Sequence, residues 1–145
     1  MTVRFTDQQM ASSVSIDFIQ REFQQNVSDK VRVASEGVDR YRVDTPFMFD
    51  DGDHLLIVLK KEGEQWVLTD EGHTYMRLSY DIDESSVRRG TRQKIISHAL
   101  STFEIEDNDG ELVLGIPDNR YGDALYAFVQ GLLKIADVSF EEASE

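Results

Sequence analysis

Seven residues in the middle of the chain have the types that hold metals and move protons: Asp50, Asp51, Asp53, His54, Asp70, Glu71 and His73. Carboxylate oxygens with imidazole as a supplement suit a divalent cation. A metal-dependent hydrolase or nuclease would draw on Asp53, Asp70 and His73. The two groups fall at the same end of a sheet if the segments between them pair as a hairpin. Turn chemistry accounts for the same residues, because Asp bonds its own backbone and Gly takes positive φ. Asp70 can also simply cap a helix. The run Asp50-Asp51-Gly52-Asp53 lacks the periodic ligands and closing Glu of a calcium loop. The reading adopted is no catalytic residue, no metal and no cofactor, with the hydrolase as the alternative.

Other routes to chemistry are thinner. There is no cysteine, which removes disulfides, thiolate metal sites and a Cys nucleophile, and suits a reducing cytoplasm. A common nuclease arrangement wants a carboxylate two residues before a strand Lys, and Val58 stands there before Lys60. Gly72 and Gly90 are isolated rather than part of a phosphate loop, and Ser12 and Ser13 show no nucleophile elbow. His98 reads as a half-buried packing residue of a helix.

Charge is unevenly spread. The net charge is −13, yet residues 87–100 carry four bases and no acid, between an acidic stretch over 47–86 and another over 101–145. Arg88, Arg89 and Arg92 sit at a predicted helix start, where free amides and guanidinium forks together make an anion site. Pairing with Asp81, Asp83 and Glu84 uses them up just as well. So acidic a chain repels a phosphate backbone, so direct nucleic-acid binding is not expected. In the second acidic stretch Asp107, Asp109 and Glu111 cluster at a hairpin tip, with Asp118 and Asp123 beside the start of the last helix. These five are the expected contacts for a basic protein partner. Capping and solubility explain them too.

The elements that would position these groups read as α+β, an antiparallel meander and a hairpin packed with about four helices, in one domain over 1–145. A helix capped by Thr6 and Gln9 runs to about Asn26, with two apolar stripes that call for cover on both sides within the fold, the alternative being a face given to a partner. Strands follow around Val31–Val33 and Tyr41–Val43, turning at Glu36-Gly37. An apolar strand over His54–Lys60 pairs with Trp66–Leu68. Thr69 or Asp70 caps a short helix with Tyr75, Met76 and Leu78, and another helix spans Thr91–Leu100. Phe103–Glu106 and Leu112–Ile116 form a hairpin over Asn108-Asp109-Gly110. The last helix, capped by Asp118 or Asn119, packs Tyr121, Leu125, Phe128, Val129, Leu132 and Ile135 on the sheet. Leu56, Val58, Trp66, Leu68, Phe128 and Leu132 should be largely buried, and the acidic tail 140–145 frayed. No segment reads as a signal peptide or a membrane span, so a soluble protein is expected.

Thr45-Pro46-Phe47, Gly52-Asp53 leading into an apolar strand, and Leu68-Thr69-Asp70-Glu71-Gly72 resemble the bacterial domain of unknown function numbered eighteen twenty-eight. The Phe103-to-Leu114 hairpin and the helix around Leu125-Tyr126-Ala127-Phe128 look like that family's C-terminal companion. The resemblance covers most of Tyr41 to Phe140 and implies a bacterial, phage or mobile-element setting, with no activity or catalytic residue to carry over. The functional expectation is a non-catalytic acidic module that inhibits or modulates a basic, nucleic-acid-handling or defence-system partner, as a DNA mimic does.

Overall fold

Ser15, in extended backbone, accepts a hydrogen bond from the amide of Phe18 (3.1 Å) and opens helix α1 (Ile16–Ser28). The computed structural model describes residues 15–141, so the cap expected at Thr6 lies outside the described residues. No residue of α1 is buried, which corrects the expectation of cover on both sides. The helix leads into β1 (Arg32–Gly37), the outermost strand, and so lies at the margin of the sheet.

Among the described residues six strands form one antiparallel sheet in the order β1, β2 (Arg40–Asp44), β3 (Val58–Glu62), β4 (Gln65–Thr69), β6 (Glu111–Gly115), β5 (Glu106–Asn108). The first hairpin turns at Val38-Asp39, two residues later than the sequence suggests, and its register shifts between Ser35 and Gly37. Asp109 and Gly110, both at positive φ, make the two-residue turn between β5 and β6 that Asp-Gly favours.

The apolar run before β3 is not one central strand. Met48 bridges His54, Leu55 donates to Phe47, and Val43 donates to Ile57 (2.9 Å). Those bonds turn Leu55 and Ile57 inward and leave Leu56 38% exposed, against expectation. Val58, Leu68, Phe128 and Leu132 are buried, and Trp66 is half-buried beside Tyr41.

Helices α2 (His73–Leu78), α3 (Glu84–Val87), α4 (Gly90–Phe103) and α5 (Tyr121–Ala136) complete the fold, an α+β architecture. α5 buries Phe128, Leu132 and Ile135 completely, in one core cluster with Leu68, Leu112 and Leu114 of the sheet. Phe103 belongs to α4 rather than to a strand. The helix ends only at Glu104, in left-handed backbone. α5 packs closely at Gly131, where a Cβ would clash with Ile105 Cδ1 just past α4 and stand 3.4 Å from Phe103 of α4. Neither Asp118 nor Asn119 caps α5. Both have positive φ in a 3-10 turn (Pro117–Asn119), and Arg120 occupies the cap position without a side-chain bond. His98 is exposed on α4, not half-buried. A 3-10 turn over Asp137–Phe140 buries Val138 completely, and most of the tail expected to fray, residues 142–145, lies outside the described residues.

Candidate functional site

The Leu68-to-Gly72 element sits where β4 ends and the chain turns into α2. Thr69 and Asp70 are fully buried there. Asp70 Oδ1 accepts from the amides of Gly72 and Leu112 (both 2.9 Å), and Oδ2 accepts from that of Thr74 (3.0 Å). The Asp70 amide in turn donates to the Leu112 carbonyl (3.2 Å). The side chain therefore extends the β4–β6 ladder by one rung and satisfies first-turn amides of α2. Glu71 and Gly72 both take positive φ to make this sharp entry. Asp70 works as the expected cap, but from two residues before the position next to the helix.

A cleft of about 640 Å3 opens beside this turn, between α2, α3 and the β5–β6 hairpin. Its wall includes Glu71, Gly72, Tyr75, Glu84, Asp109 and Glu111. Thr69 Oγ1 donates to Glu111 Oε2 and accepts from the Glu71 amide (2.9 Å). Lys60 Nζ reaches the same Glu111 oxygen at 3.3 Å. Burial alone would lower the lysine pKa, but Glu111 and then Glu62 hold it above its ordinary value. Glu71 is held below the usual carboxylate range by a two-pronged bond from Arg40, at 2.6 and 2.8 Å.

Arg88 pairs with Asp107 (3.0 Å) and lies over the Tyr75 ring, 4.7 Å from its centroid. The Tyr75 hydroxyl is buried near Asp107 without a hydrogen bond of ordinary geometry. Burial first, and then the negative charge of Asp107, raise its pKa above the ordinary tyrosine value. Asp107 also accepts from the Gly110 amide (2.8 Å) and so closes the hairpin turn. The cleft thus joins three groups that are far apart in sequence: the Leu-Thr-Asp-x-Gly element, the hairpin acids and Arg88.

The carboxylate–imidazole set is not assembled into a metal site. Arg77 pairs with both Asp51 and Asp53 (2.9 Å to the latter) while lying over the Phe49 ring. Asp51 also accepts from the Asp53 amide (3.0 Å), and this bond, followed by Arg77, lowers its pKa. Asp50 and His54 are exposed, and His73 lies beside Phe49. Both Asp70 oxygens are filled by amides. Among the described residues no three His, Asp or Glu side chains are grouped to hold a metal ion.

The three arginines of the basic island have separate surroundings. Arg88 faces the cleft, and Arg89 is exposed at the cap of α4. Arg92 is 7% exposed, and donates from Nε to the Val138 carbonyl (3.2 Å) and from an Nη to that of Glu141 (2.6 Å). No ion pair joins them to Asp81, Asp83 or Glu84; Arg88 has taken Asp107 instead. Of the five acids expected to meet a partner, Asp107 and Glu111 have structural bonds within the cleft, a local explanation the sequence did not reveal. Asp109 is exposed at the turn. Asp123 pairs with Arg120 (2.6 Å) at the start of α5, and Asp118 is exposed in the preceding turn. Sequence reasoning missed Lys60 and Tyr75 as site residues. A strand lysine and a helix tyrosine carry no signal until β6 and α3 are placed beside them.

No helix among the described residues is long and apolar enough to cross a membrane. Neither a curated protein nor a solved structure matches the chain. The sequence model of one family, described as a domain of unknown function, DUF1828, matches residues 45–135. The match takes in the Leu-Thr-Asp-x-Gly turn, the hairpin and nearly all of α5. The chain belongs to the DUF1828 family.

Proposed function

We propose that the chain is a non-catalytic binding module whose acidic cleft receives cationic side chains of a basic partner. The partner is a nucleic-acid-handling or defence-system protein of a bacterium or its phage, restrained in the cytoplasm by this domain. The observation that carries the reading is at the cleft wall. Among the described residues, Glu84 and Asp109 are exposed carboxylates on this wall that enter no ion pair. A guanidinium or ammonium entering there finds acceptors without displacing any internal bond. The nearby bases are already engaged: Lys60 by Glu111, Arg40 by Glu71 and Arg88 by Asp107. The cleft is therefore a poor phosphate site and a good cation site.

The test begins with capture of partners from a bacterial host lysate by the full chain at low salt. Association of the captured basic protein should be fast and should slow steeply as salt rises. Glu84→Gln with Asp109→Asn removes the charges while leaving the turn geometry intact, and should slow association several-fold. An unchanged association rate for this double variant across a salt series would reduce the acids to a solubility coat.

A further inference from the structure

Away from the cleft, the face formed by α1, β1 and the first turns of α5 is apolar and open. Val31, Gly122 and Leu125 line two adjoining recesses, one floored by Val33 and Val43, the other walled by Phe23 and Val27. They form one continuous trough. Ile16, Phe23 and Val27 lie on one stripe of α1 by helical spacing. They stay 65%, 69% and 53% exposed, and Val33, Tyr121 and Tyr126 are likewise open. Taking roughly 150–200 Å2 for each full side chain, the five that line the trough (all but Ile16) leave about 400–550 Å2 uncovered. That is toward the upper end of the ~300–600 Å2 of the largest patch on a typical monomer. It is about half to two thirds of the ~800 Å2 that each partner buries in a standard interface.

Charge says what covers it. Residues 15–44, which supply α1, β1 and β2, carry five bases and six acids, whereas residues 45–141 carry nine and nineteen. The acid excess lies on the body of the domain, and the trough is edged by a nearly neutral segment. Two copies that approach by their acid-rich surfaces repel, and the like-charge cost is reduced where this nearly neutral segment meets its copy. A thirteen-residue helix with no buried residue is also marginal by itself, and gains its stability from packing on its apolar stripe.

We infer that this face is the two-fold interface of a homodimer, in which the α1 stripe and α5 start of each copy cover the trough of the other. The contact is isologous, and it leaves both acidic clefts facing outward.

Sedimentation equilibrium of the full chain tests this. The expected result is twice the 16.6 kDa chain mass at micromolar concentration. Phe23→Glu and Tyr126→Glu, on opposite walls of the trough, should each weaken dimerisation at least about thirtyfold, as loss of a central apolar anchor does. Far-UV circular dichroism should be unchanged in both, since both side chains are exposed. Tyr80→Glu, exposed in the turn after α2 and outside the trough, should leave the dimer intact. Because the bodies repel, added salt should tighten the dimer. A monomer at every concentration, a dimer that survives both trough variants, or one that weakens steeply with salt would overturn the inference.

Discussion

Replacing the Asp70 carboxylate by an amide isolates the bond that joins the Leu68–Gly72 turn to the rest of the sheet. In Asp70→Asn the carbonyl oxygen can keep the Oδ1 place and its two amides, Gly72 and Leu112. The new NH2 must then face the Thr74 amide, donor against donor, in a fully buried position. One charge-assisted bond is lost and two are weakened, and a hydrogen bond to a charged group is worth about 1.5–3 kcal/mol. The expected cost is therefore about 2–3 kcal/mol. Asp70→Ala leaves three amides with no acceptor, at about 1–3 kcal/mol each, and should cost about 4–6 kcal/mol, at the top of the range for single substitutions. For a chain of this size about 3–5 °C of Tm accompanies each kcal/mol, so the Asn variant should melt about 8–12 °C below the parent. Urea unfolding followed by Trp66 fluorescence measures the same quantity, with the m value unchanged. An Asn variant within about 0.5 kcal/mol of the parent, or equal to the Ala variant, would refute the account of Asp70 as a three-amide acceptor.

Arg92→Met keeps the buried stem but removes the donors to the Val138 and Glu141 carbonyls. It should cost about 1.5–3 kcal/mol and speed amide exchange over 137–141 more than elsewhere. Tyr75→Phe should be neutral or stabilising by up to about 1 kcal/mol at pH 7, because the hydroxyl it deletes is buried without a hydrogen bond of ordinary geometry. Its pH dependence follows from the raised folded-state pKa. The tyrosine proton is held more tightly in the folded chain, so this contribution to stability is full below the unfolded value near ~10 and is lost as pH rises through the folded value. Denaturation at a series of alkaline pH values should show the parent losing stability relative to the Phe variant above about pH 10; a constant difference there would contradict the assignment.

What the sequence makes legible is whatever has a local cause. The Asp109-Gly110 turn, the α5 core stripe and the α+β order follow from turn chemistry and periodicity. The break in the His54–Lys60 run does not, because it depends on Phe47 and Val43 pairing with Leu55 and Ile57, and hydrophobicity cannot tell that arrangement from one long strand. The acids illustrate the same division. Asp51 and Asp53 look like ligands until Arg77 is brought over them, and Asp107 and Glu111 look like free surface charge until Arg88, Lys60 and Thr69 reach them. Asp70 was legible as a cap because two of its bonds are local, whereas its bond to Leu112 spans 42 positions. For the opposite reason the exposure of α1 is not legible: two apolar stripes show that a helix wants cover, but not whether its own fold supplies it.

The span of that last bond bears on how the chain folds. Bringing β6 to β4 closes an excursion that includes α2, α3 and α4, at a chain-entropy cost on the order of 3 kcal/mol, whereas the meander from β1 to β4 closes through much shorter loops. Asp70 stands at the junction of the two. Its bonds to Gly72 and Thr74 can form as soon as the turn into α2 does, and they hold Oδ1 in place as an acceptor before Leu112 arrives. Once β6 docks, that ion is sealed from water, and neither half can open without returning a buried carboxylate to solvent with its partners broken. The meander and the hairpin are thereby tied into one cooperative unit: amides of β4 and β6 should exchange at a common rate set by global unfolding, whereas those of α1 exchange through local fraying.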